Sequence, residues 1–358
     1  MRVHSWEGSL KRRSAVMNKK IIYEIRGMYR DDFRITGYEF GNGAGNEAGS
    51  GIWSGNGNKN GTGAVDGAAN KNGSFKKSVC IVGNSRGNEI QQIYCCSQLV
   101  KKLKQLEAEG RISEGHRILV IPSINPYSVN VQKRFWPTDN TDINRMFPGY
   151  DLGETTQRIA DGVFREISEY EYGIQFTSFY MPGDFVPHVR YMKEGYTAYE
   201  DAAKFGLKYI VERQVRPYDT ATLNYNWQVW DTKAFSLYTN STEKISETGA
   251  GQAVLSVMNF MAENGIIKYS PVREKKQRLI SDTELLSVRT AMSGFFNPLV
   301  KAGERVEMGM PLANIMDPYE GHVLETLYAS CSGIVFFIHN EPITYANTAV
   351  IKLLADEV

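Results

Sequence analysis

The chain has 358 residues, 42% of them hydrophobic, and a formal net charge of +1 at pH 7. This length and composition predict a globular protein with a full hydrophobic core and room for two domains. The near-neutral charge predicts no general attraction to nucleic acid or to an anionic membrane.

Four cysteines occur, Cys80, Cys95, Cys96 and Cys331, and none of them shows the C-x-x-C spacing of a zinc or redox motif. We expect them to be reduced in a cytoplasmic protein. Residues 1–16 have no apolar signal segment, and no run of about 18 apolar residues predicts a membrane-spanning helix. We expect residues 1–16 to be a disordered extension, with Met17 as a second candidate start.

The N-terminal part of the chain combines a predicted hairpin with a tract of low complexity. Residues 20–25 and 33–40 are rich in β-forming residues and predict two paired strands within an N-terminal unit, residues 17–40. Residues 41–74 contain 11 of the chain's 33 glycines and seven asparagines. Because so few apolar residues cannot offset the entropy of ordering, residues 41–75 are predicted to be a disordered insert, and deleting 41–74 should leave the fold intact.

From residue 76 onward, apolar strand patterns alternate with helical ones. The predicted strands are residues 78–83, 117–123, 172–178, 208–211 and 234–238, and the predicted helices are residues 88–109, 153–168 and 251–264. This order predicts an α/β domain over residues 76–272, with a mostly parallel mixed sheet flanked by helices. Ligands bind such sheets at the carboxyl ends of the strands, where Arg86, Asn125 and Thr177 fall.

The pattern of residues changes after the α/β domain. Residues 273–282 are strongly charged and are predicted to be a linker. Residues 283–358 carry short alternating strands separated by glycines, which predicts a smaller all-β domain.

The most distinctive stretch is residues 134–149, R-F-W-P-T-D-N-T-D-I-N-R-M-F-P-G. The planar guanidinium of arginine can donate two hydrogen bonds to one carboxylate, and the amide of Asn144 beside Arg145 adds another donor. The stretch is therefore typical of an anion-recognition loop. The alternative is a polar loop in which Arg134 and Arg145 only pair with Asp139 and Asp142.

Three segments together resemble the succinylglutamate desuccinylase/aspartoacylase family, whose members are zinc amide hydrolases with a carboxypeptidase-like fold. They are G-N-S-R-G-N-E at residues 83–89, the strand and Asn-Pro turn at 117–127, and the anion-recognition loop. The glycine-rich segments of the C-terminal region are similar to that family's C-terminal β-barrel. In the family the first turn reads G-x-x-H-G-x-E, and its histidine and glutamate bind zinc. Here Arg86 stands in place of the histidine, while Glu89 is retained.

The resemblance implies further substitutions at the metal and base positions. The second zinc histidine falls on Thr177, and His188 matches a later histidine that is not a metal ligand. The general base falls on Tyr238, although a shift of register brings in Glu243 or Glu247 instead. We therefore expect that no zinc is bound and that no catalytic residue is intact, with the permanent charge of Arg86 taking over the electrostatic role of the ion.

What the resemblance leaves in place is the substrate pocket. It implies that Arg134 polarises a carbonyl and that Asn144 and Arg145 hold a carboxylate. Two functions follow. The first is a non-catalytic, metal-free binder of an acidic small molecule or peptide carboxylate, for which we expect a homo-oligomer or a complex with an active relative. The second is an active hydrolase of N-acyl amino acids with an unrecognised metal site. A purely structural salt-bridge network with Glu89, Asp139 and Asp142 is the third interpretation.

Overall fold

The computed structural model of the chain describes residues 17–27, 31–41, 75–195, 197–274 and 276–357. The predicted extension and residues 42–74 of the predicted insert lie outside these ranges. Ten strands precede the C-terminal region: β1 (Asn18–Ile25), β2 (Phe33–Phe40), β3 (Lys76–Asn84), β4 (His116–Ser123), β5 (Tyr172–Thr177), β6 (Gly183–Phe185), β7 (His188–Met192), β8 (Tyr209–Arg213), β9 (Lys233–Tyr238) and β10 (Arg278–Ser281). The helices among them are α1 (Ile90–Ala108), α2 (Pro126–Asn130), α3 (Thr155–Ile167), α4 (Tyr199–Ala203), α5 (Leu223–Val229) and α6 (Glu247–Glu263).

Nine of these strands form one mixed sheet in the order β1-β2-β4-β3-β5-β9-β7-β8-β10. The central strands β4, β3, β5 and β9 run parallel, whereas β7 is antiparallel to β9. The predicted α/β fold class, with a mostly parallel mixed sheet flanked by helices and a smaller β region at the C-terminus, is confirmed.

Helices cover both faces of the sheet because its central strands are apolar on both faces. In β3, Val79 and Ile81 join the core under α1 and α6, while Cys80 and Val82 face the core under α3 and α5. Alternation of side chains along a strand produces this two-sided burial, which is typical of parallel strands. The carboxyl ends of β3, β5 and β9 therefore meet at one rigid edge.

The C-terminal strands are β11 (Leu285–Arg289), β12 (Gly294–Pro298), β13 (Arg305–Val306), β14 (Pro311–Met316), β15 (Val323–Tyr328), β16 (Gly333–His339), β17 (Ile343–Thr344) and β18 (Ala349–Ala355). They form two antiparallel sheets, one of which also contains β6 through its pairing with β16. The C-terminal region is thus joined to the α/β region beyond the carboxyl end of β5.

Several parts of the chain differ from the sequence-based expectation, among them the short elements α2, β6, α4 and α5, which the sequence did not predict. The segment predicted as a linker contains β10, which extends the large sheet by pairing with β8. Strand β7 was not predicted, because its P-H-V-R-Y sequence does not show a simple apolar alternation. Within the described ranges, no helix has the length and apolar character needed to cross a membrane.

Candidate functional site

Arg86 lies in the turn between β3 and α1, beyond the carboxyl end of β3. The Asn84 side-chain amide donates to the Arg86 carbonyl at 2.8 Å, and the Asn125 amide donates to the Ser85 carbonyl at 3.3 Å. A Cβ atom on Gly87 would lie 2.3 Å from the backbone of Ser128, so only glycine permits this close approach. The turn is therefore held firmly in one conformation.

The carboxylate of Glu89 is fully buried and has several hydrogen-bond donors. One oxygen accepts from the backbone N–H groups of Ser85 and Arg86, at 3.0 and 3.1 Å. The other accepts from the Ser178 hydroxyl at 2.7 Å and from Nη1 of Arg86 at 3.3 Å. The predicted contact between Arg86 and Glu89 is present, and it forms part of a well-satisfied network.

Arg86 also binds Asp142, the aspartate of the D-I-N-R run in the anion-recognition loop. Its Nε lies 3.0 Å from Oδ2 of Asp142, and only 3% of Arg86 is exposed. Burial by itself lowers the pKa of Arg86, but the neighbouring carboxylates Asp142 and Glu89 raise it above its usual value. Burial likewise opposes the ionised form of Asp142, but Arg86 and Arg134 hold the pKa of this carboxyl below its usual value.

Arg134 shares the same carboxylate oxygen. Its Nη2 lies 3.0 Å from Oδ2 of Asp142, and its Nη1 donates to the Tyr180 carbonyl. Burial and the nearby charge of Arg86 lower the pKa of Arg134. Arg134 is therefore bound to protein groups, as the structural-network interpretation expects.

Asp139 takes no part in that network. Its carboxylate accepts from the backbone N–H of Thr141 and from the hydroxyl of Thr156. The part of the structural-network interpretation that involves Asp139 is therefore wrong.

Asn144 and Arg145 lie in a single 3-10 turn, Ile143–Arg145, capped by the Asp142 side chain. The Asn144 side-chain oxygen accepts from the Leu223 backbone N–H at 3.2 Å, which fixes the amide. Nη1 of Arg145 donates to the Asn144 carbonyl at 3.0 Å. Burial and the positive charge of Arg86 lower the pKa of Arg145. Within the described ranges Arg145 has no ion pair with a carboxylate, so most of its donors are free for a ligand.

Thr177 and Tyr238 end the neighbouring strands β5 and β9 and lie opposite each other in the sheet. Thr177 donates its hydroxyl to the Ser178 carbonyl and makes no hydrogen bond to Glu89. Two hydroxyls donate to Glu89, that of Ser178 at 2.7 Å and that of Ser85 at 3.4 Å, and the sequence analysis selected neither of them. The adjacent hydroxyl residues Thr177 and Ser178 at the end of β5 indicated a polar site. Only the strand geometry shows that Ser178, and not Thr177, donates to Glu89.

Tyr238 is buried against the rings of Phe179, Phe185 and His188 and against the guanidinium of Arg190. The His188 ring stacks on it with 4.4 Å between ring centroids, and the guanidinium carbon of Arg190 lies 4.7 Å from the Tyr238 centroid. Burial lowers the pKa of His188 to about 3, so the imidazole is neutral at pH 7. Glu243 and Glu247, the alternative base positions, are exposed, and Glu243 accepts from the Asn88 side chain at 3.0 Å.

The side chains at this edge of the sheet do not fit a catalytic zinc ion. Such a site needs three protein ligands, usually histidines and a carboxylate. Residues described in the structure include no group of three or more His, Cys, Asp and Glu side chains placed to hold a metal ion. Glu89 and Asp142 instead bind the guanidinium of Arg86, which is permanently charged and cannot act as a ligand.

Comparison with known proteins gives both a sequence match and a fold match. Residues 76–176 match the model of the succinylglutamate desuccinylase/aspartoacylase catalytic domain. An N-alpha-acetyl-L-2,4-diaminobutyric acid deacetylase of Halomonas elongata is 28% identical over 81 residues, which is 23% of this chain and 22% of that protein. The matched segment therefore spans less than a quarter of the length of this relative.

Solved structures extend the likeness to almost the whole chain. A succinylglutamate desuccinylase from Silicibacter sp. TM1040 has a TM-score of 0.72 at 16% identity, covering 95% of this chain and 93% of that one. The product-bound ectoine utilization protein EutE (DoeB) from Ruegeria pomeroyi has a TM-score of 0.71 at 17% identity, covering 94% and 93%. At these low sequence identities, the structural similarity shows a shared fold and nothing more. Residues 76–176 are thus similar to the catalytic domain of the succinylglutamate desuccinylase/aspartoacylase family, and the chain as a whole shares the fold of solved structures that carry these names.

Proposed function

We propose that this chain is a non-catalytic member of its family that binds a small acidic molecule or a peptide carboxylate. The observation that carries the proposal is the buried ion pairing of Arg86 with Glu89 and Asp142. A guanidinium thus stands where the family resemblance implies a zinc-binding histidine. It supplies positive charge, but it offers neither Lewis acidity nor an activated water.

Arg145 is the side chain best placed to hold the ligand. It has free donors and a partly buried guanidinium, and its pKa is lowered by burial and by Arg86, so an arriving anion relieves an unfavourable positive potential. Asn144 lies beside it with its amide fixed by the Leu223 backbone. A ligand carboxylate would accept from Arg145 and from the free amide nitrogen of Asn144.

Arg134 has a different part in this proposal. Because it is already bound to Asp142 and to the Tyr180 carbonyl, it shapes the loop and adds positive charge. Polarising a substrate carbonyl would require it to leave these partners. This arrangement supports binding over hydrolysis.

Metal analysis of purified protein is the first test. We expect no stoichiometric zinc, whether the protein is purified from zinc-supplemented or from ordinary medium. We also expect no chelator-sensitive hydrolysis of N-acetylaspartate or N-acetylglutamate. One tightly bound zinc ion per chain, together with hydrolysis that a chelator abolishes, would contradict the proposal.

Titration calorimetry with N-acetylated aspartate or glutamate is the second test. Both compounds should bind, and Arg145→Ala should weaken binding by about 2–3 kcal/mol, the scale for losing a charge-assisted pair. Arg305→Ala is the matched control, because Arg305 is exposed and pairs with Asp356 in the C-terminal region. Unchanged affinity in Arg145→Ala would move the binding site elsewhere.

An active N-acyl amino acid hydrolase is the second candidate. It is favoured by the match to a protein named as an N-alpha-acetyl-L-2,4-diaminobutyric acid deacetylase. This candidate needs a metal ligand set different from the family's, and the metal analysis separates it from the first. A role as partner of an active relative would appear as a stable complex when the two chains are expressed together.

A further inference from the structure

The turn that leads into α5, residues 219–223, contacts the anion-recognition loop on both sides of Arg145. We call these residues the α5 turn. Two hydrogen bonds join it to the loop, one from the Leu223 backbone N–H to the Asn144 side-chain oxygen and one from the Phe147 backbone N–H to the Ala221 carbonyl, both at 3.2 Å. Because Arg145 lies between the two bonded residues of the loop, the position of its backbone depends on where the α5 turn is held.

Hydrogen bonds to the backbone carbonyl of Asp219 hold the α5 turn in shape. This carbonyl accepts from the Thr222 backbone N–H at 2.9 Å and from the Thr222 hydroxyl at 2.7 Å. The same hydroxyl accepts from the Tyr225 backbone N–H at 3.3 Å and so caps the N-terminus of α5. Asp219 is therefore the residue to which the rest of the turn is bonded.

The side chain of Asp219 anchors the α5 turn to β8. Only 6% of Asp219 is exposed, and its carboxylate accepts from Nη2 of Arg213 at 2.8 and 3.0 Å and from Nε at 3.2 Å. Oδ2 of Asp219 also accepts from the Arg216 backbone N–H at 3.1 Å. A charge-assisted two-point pair of this kind fixes orientation as well as distance. Because Arg213 ends β8, a strand of the large sheet, the turn has a rigid support.

The charge of Asp219 and its hydrogen bonds have opposite effects on anion binding at Arg145. Burial and the charge of Arg86 lower the pKa of Arg145, and the negative charge of Asp219 partly opposes them. A negative charge near Arg145 repels an incoming anion, so its removal alone would strengthen anion binding. Loss of the anchor would weaken binding, because a displaced guanidinium no longer meets the ligand. An electrostatic role and a positioning role therefore predict changes of opposite sign.

We propose that Asp219 is a positioning residue for anion binding: its pair with Arg213 holds the α5 turn, and the turn holds Arg145 in the place where it meets the ligand. This inference rests on the proposed function, because it concerns the side chain that binds the ligand there. Asp219 acts without touching the ligand. A site supported in this way is ordered before the ligand arrives, which lowers the entropic cost of binding.

Titration calorimetry with N-acetyl-L-glutamate compares wild-type protein with Asp219→Asn, which keeps the shape of the side chain and removes its charge. Asp219→Asn should bind about tenfold more weakly, within the range of couplings between residues of one hydrogen-bond network. Asp356→Asn is the matched control, because it breaks an exposed pair with Arg305 and should change the affinity by less than about twofold. Adding Asp219→Asn to Arg145→Ala should change the affinity by less than about twofold, since Asp219 acts through Arg145.

Hydrogen exchange followed by mass spectrometry separates positioning from a general loss of stability. In Asp219→Asn without ligand, peptides covering residues 143–147 and 220–225 should exchange at least about threefold faster, while peptides from β3 and β16 keep their wild-type rates. Thr222→Val removes the hydroxyl bond to the Asp219 carbonyl and should also weaken binding. Thr222→Ser keeps a hydroxyl and should retain wild-type affinity.

The outcomes separate this inference from the proposed function. Unchanged or tighter binding by a folded Asp219→Asn variant would overturn the role of Asp219 and leave the Arg145 site standing. An equal loss of affinity with and without Arg145, or faster exchange throughout the protein, would overturn it as well. If Asp219→Asn does not fold, equal affinities of Thr222→Val and Thr222→Ser would overturn it. Failure of wild-type protein to bind the compound would overturn the proposed function, and this inference with it.

Discussion

Replacing Arg86 with methionine tests whether its guanidinium is the counter-charge of a buried network. Methionine keeps much of the side-chain volume, so the main change is electrostatic. Removing one partner of a buried ion pair costs about 3–5 kcal/mol, because the remaining charge is left buried without its counter-ion.

The structure places the expected cost at the lower end of that range. Glu89 would keep the backbone N–H groups of Ser85 and residue 86 and the Ser178 hydroxyl, and Asp142 would keep Arg134 and the Asn144 backbone N–H. We therefore expect Arg86→Met to lower the free energy of unfolding by about 3 kcal/mol. Urea denaturation followed by circular dichroism measures this loss.

Two further variants show whether charge is the cause. Arg305→Met removes an exposed pair and should cost less than about 1 kcal/mol. Adding Glu89→Gln to Arg86→Met removes the uncompensated charge, so the double variant should be more stable than the sum of the two single losses, by about 1 kcal/mol or more. A loss below 1 kcal/mol in Arg86→Met, with additive effects in the double variant, would refute the counter-charge argument.

The remaining predictions concern pH and metal binding. The pKa of His188 is about 3 in the folded state, which is below its unfolded value of about 6.5. The free energy of unfolding should therefore fall as the pH drops below about 6.5, by about 1.4 kcal/mol per pH unit. The slope of unfolding free energy between pH 4 and 6 should therefore be shallower in His188→Gln; an unchanged slope would contradict the assignment. The pKa of Asp142 is lowered in the folded state, so the free energy of unfolding of wild-type protein should fall as the pH drops below about 4. Over the same pH range, the free energy of unfolding of Asp142→Asn should fall by less than that of wild-type protein. Arg86→His alone should not restore tight zinc binding, whereas Arg86→His with Thr177→His should restore it, as measured by equilibrium dialysis with zinc. Hydrolysis by this double variant should stay slow until Tyr238→Glu supplies a general base, as measured by a hydrolysis assay.

The sequence predicted those features of the fold that depend on local pattern. Central strands such as β3 are apolar on both faces, and such runs, bounded by turns, identify buried parallel strands. The approach of Arg86 to Glu89 followed from their separation of three residues across a glycine turn, and the structure confirms it at 3.3 Å. Local spacing was sufficient here because both groups lie on one short turn.

Features that depend on strands distant in sequence were not predictable in this way. Ser178 contacts Glu89 across 89 residues, and Arg190 reaches Tyr238 only because β7 pairs antiparallel to β9, with His188 opposite Tyr238. A polar strand such as β7 gives no periodic signal from which that pairing could be read. Long-range register, not residue type, therefore decides which side chains complete the site.

Asp142 connects the turn after β3 with the anion-recognition loop. Its Oδ2 lies 3.0 Å from both Arg86 and Arg134. Arg86 in the turn after β3 and Arg134 in the anion-recognition loop therefore share one carboxylate oxygen, which joins the two segments. Among the described residues, Arg86 is ion-paired in the turn after β3, whereas Arg145 has no carboxylate partner. Under the proposed function, this distribution of charge favours capture of an anion at Arg145 and leaves the turn after β3 without the open coordination position that amide hydrolysis needs.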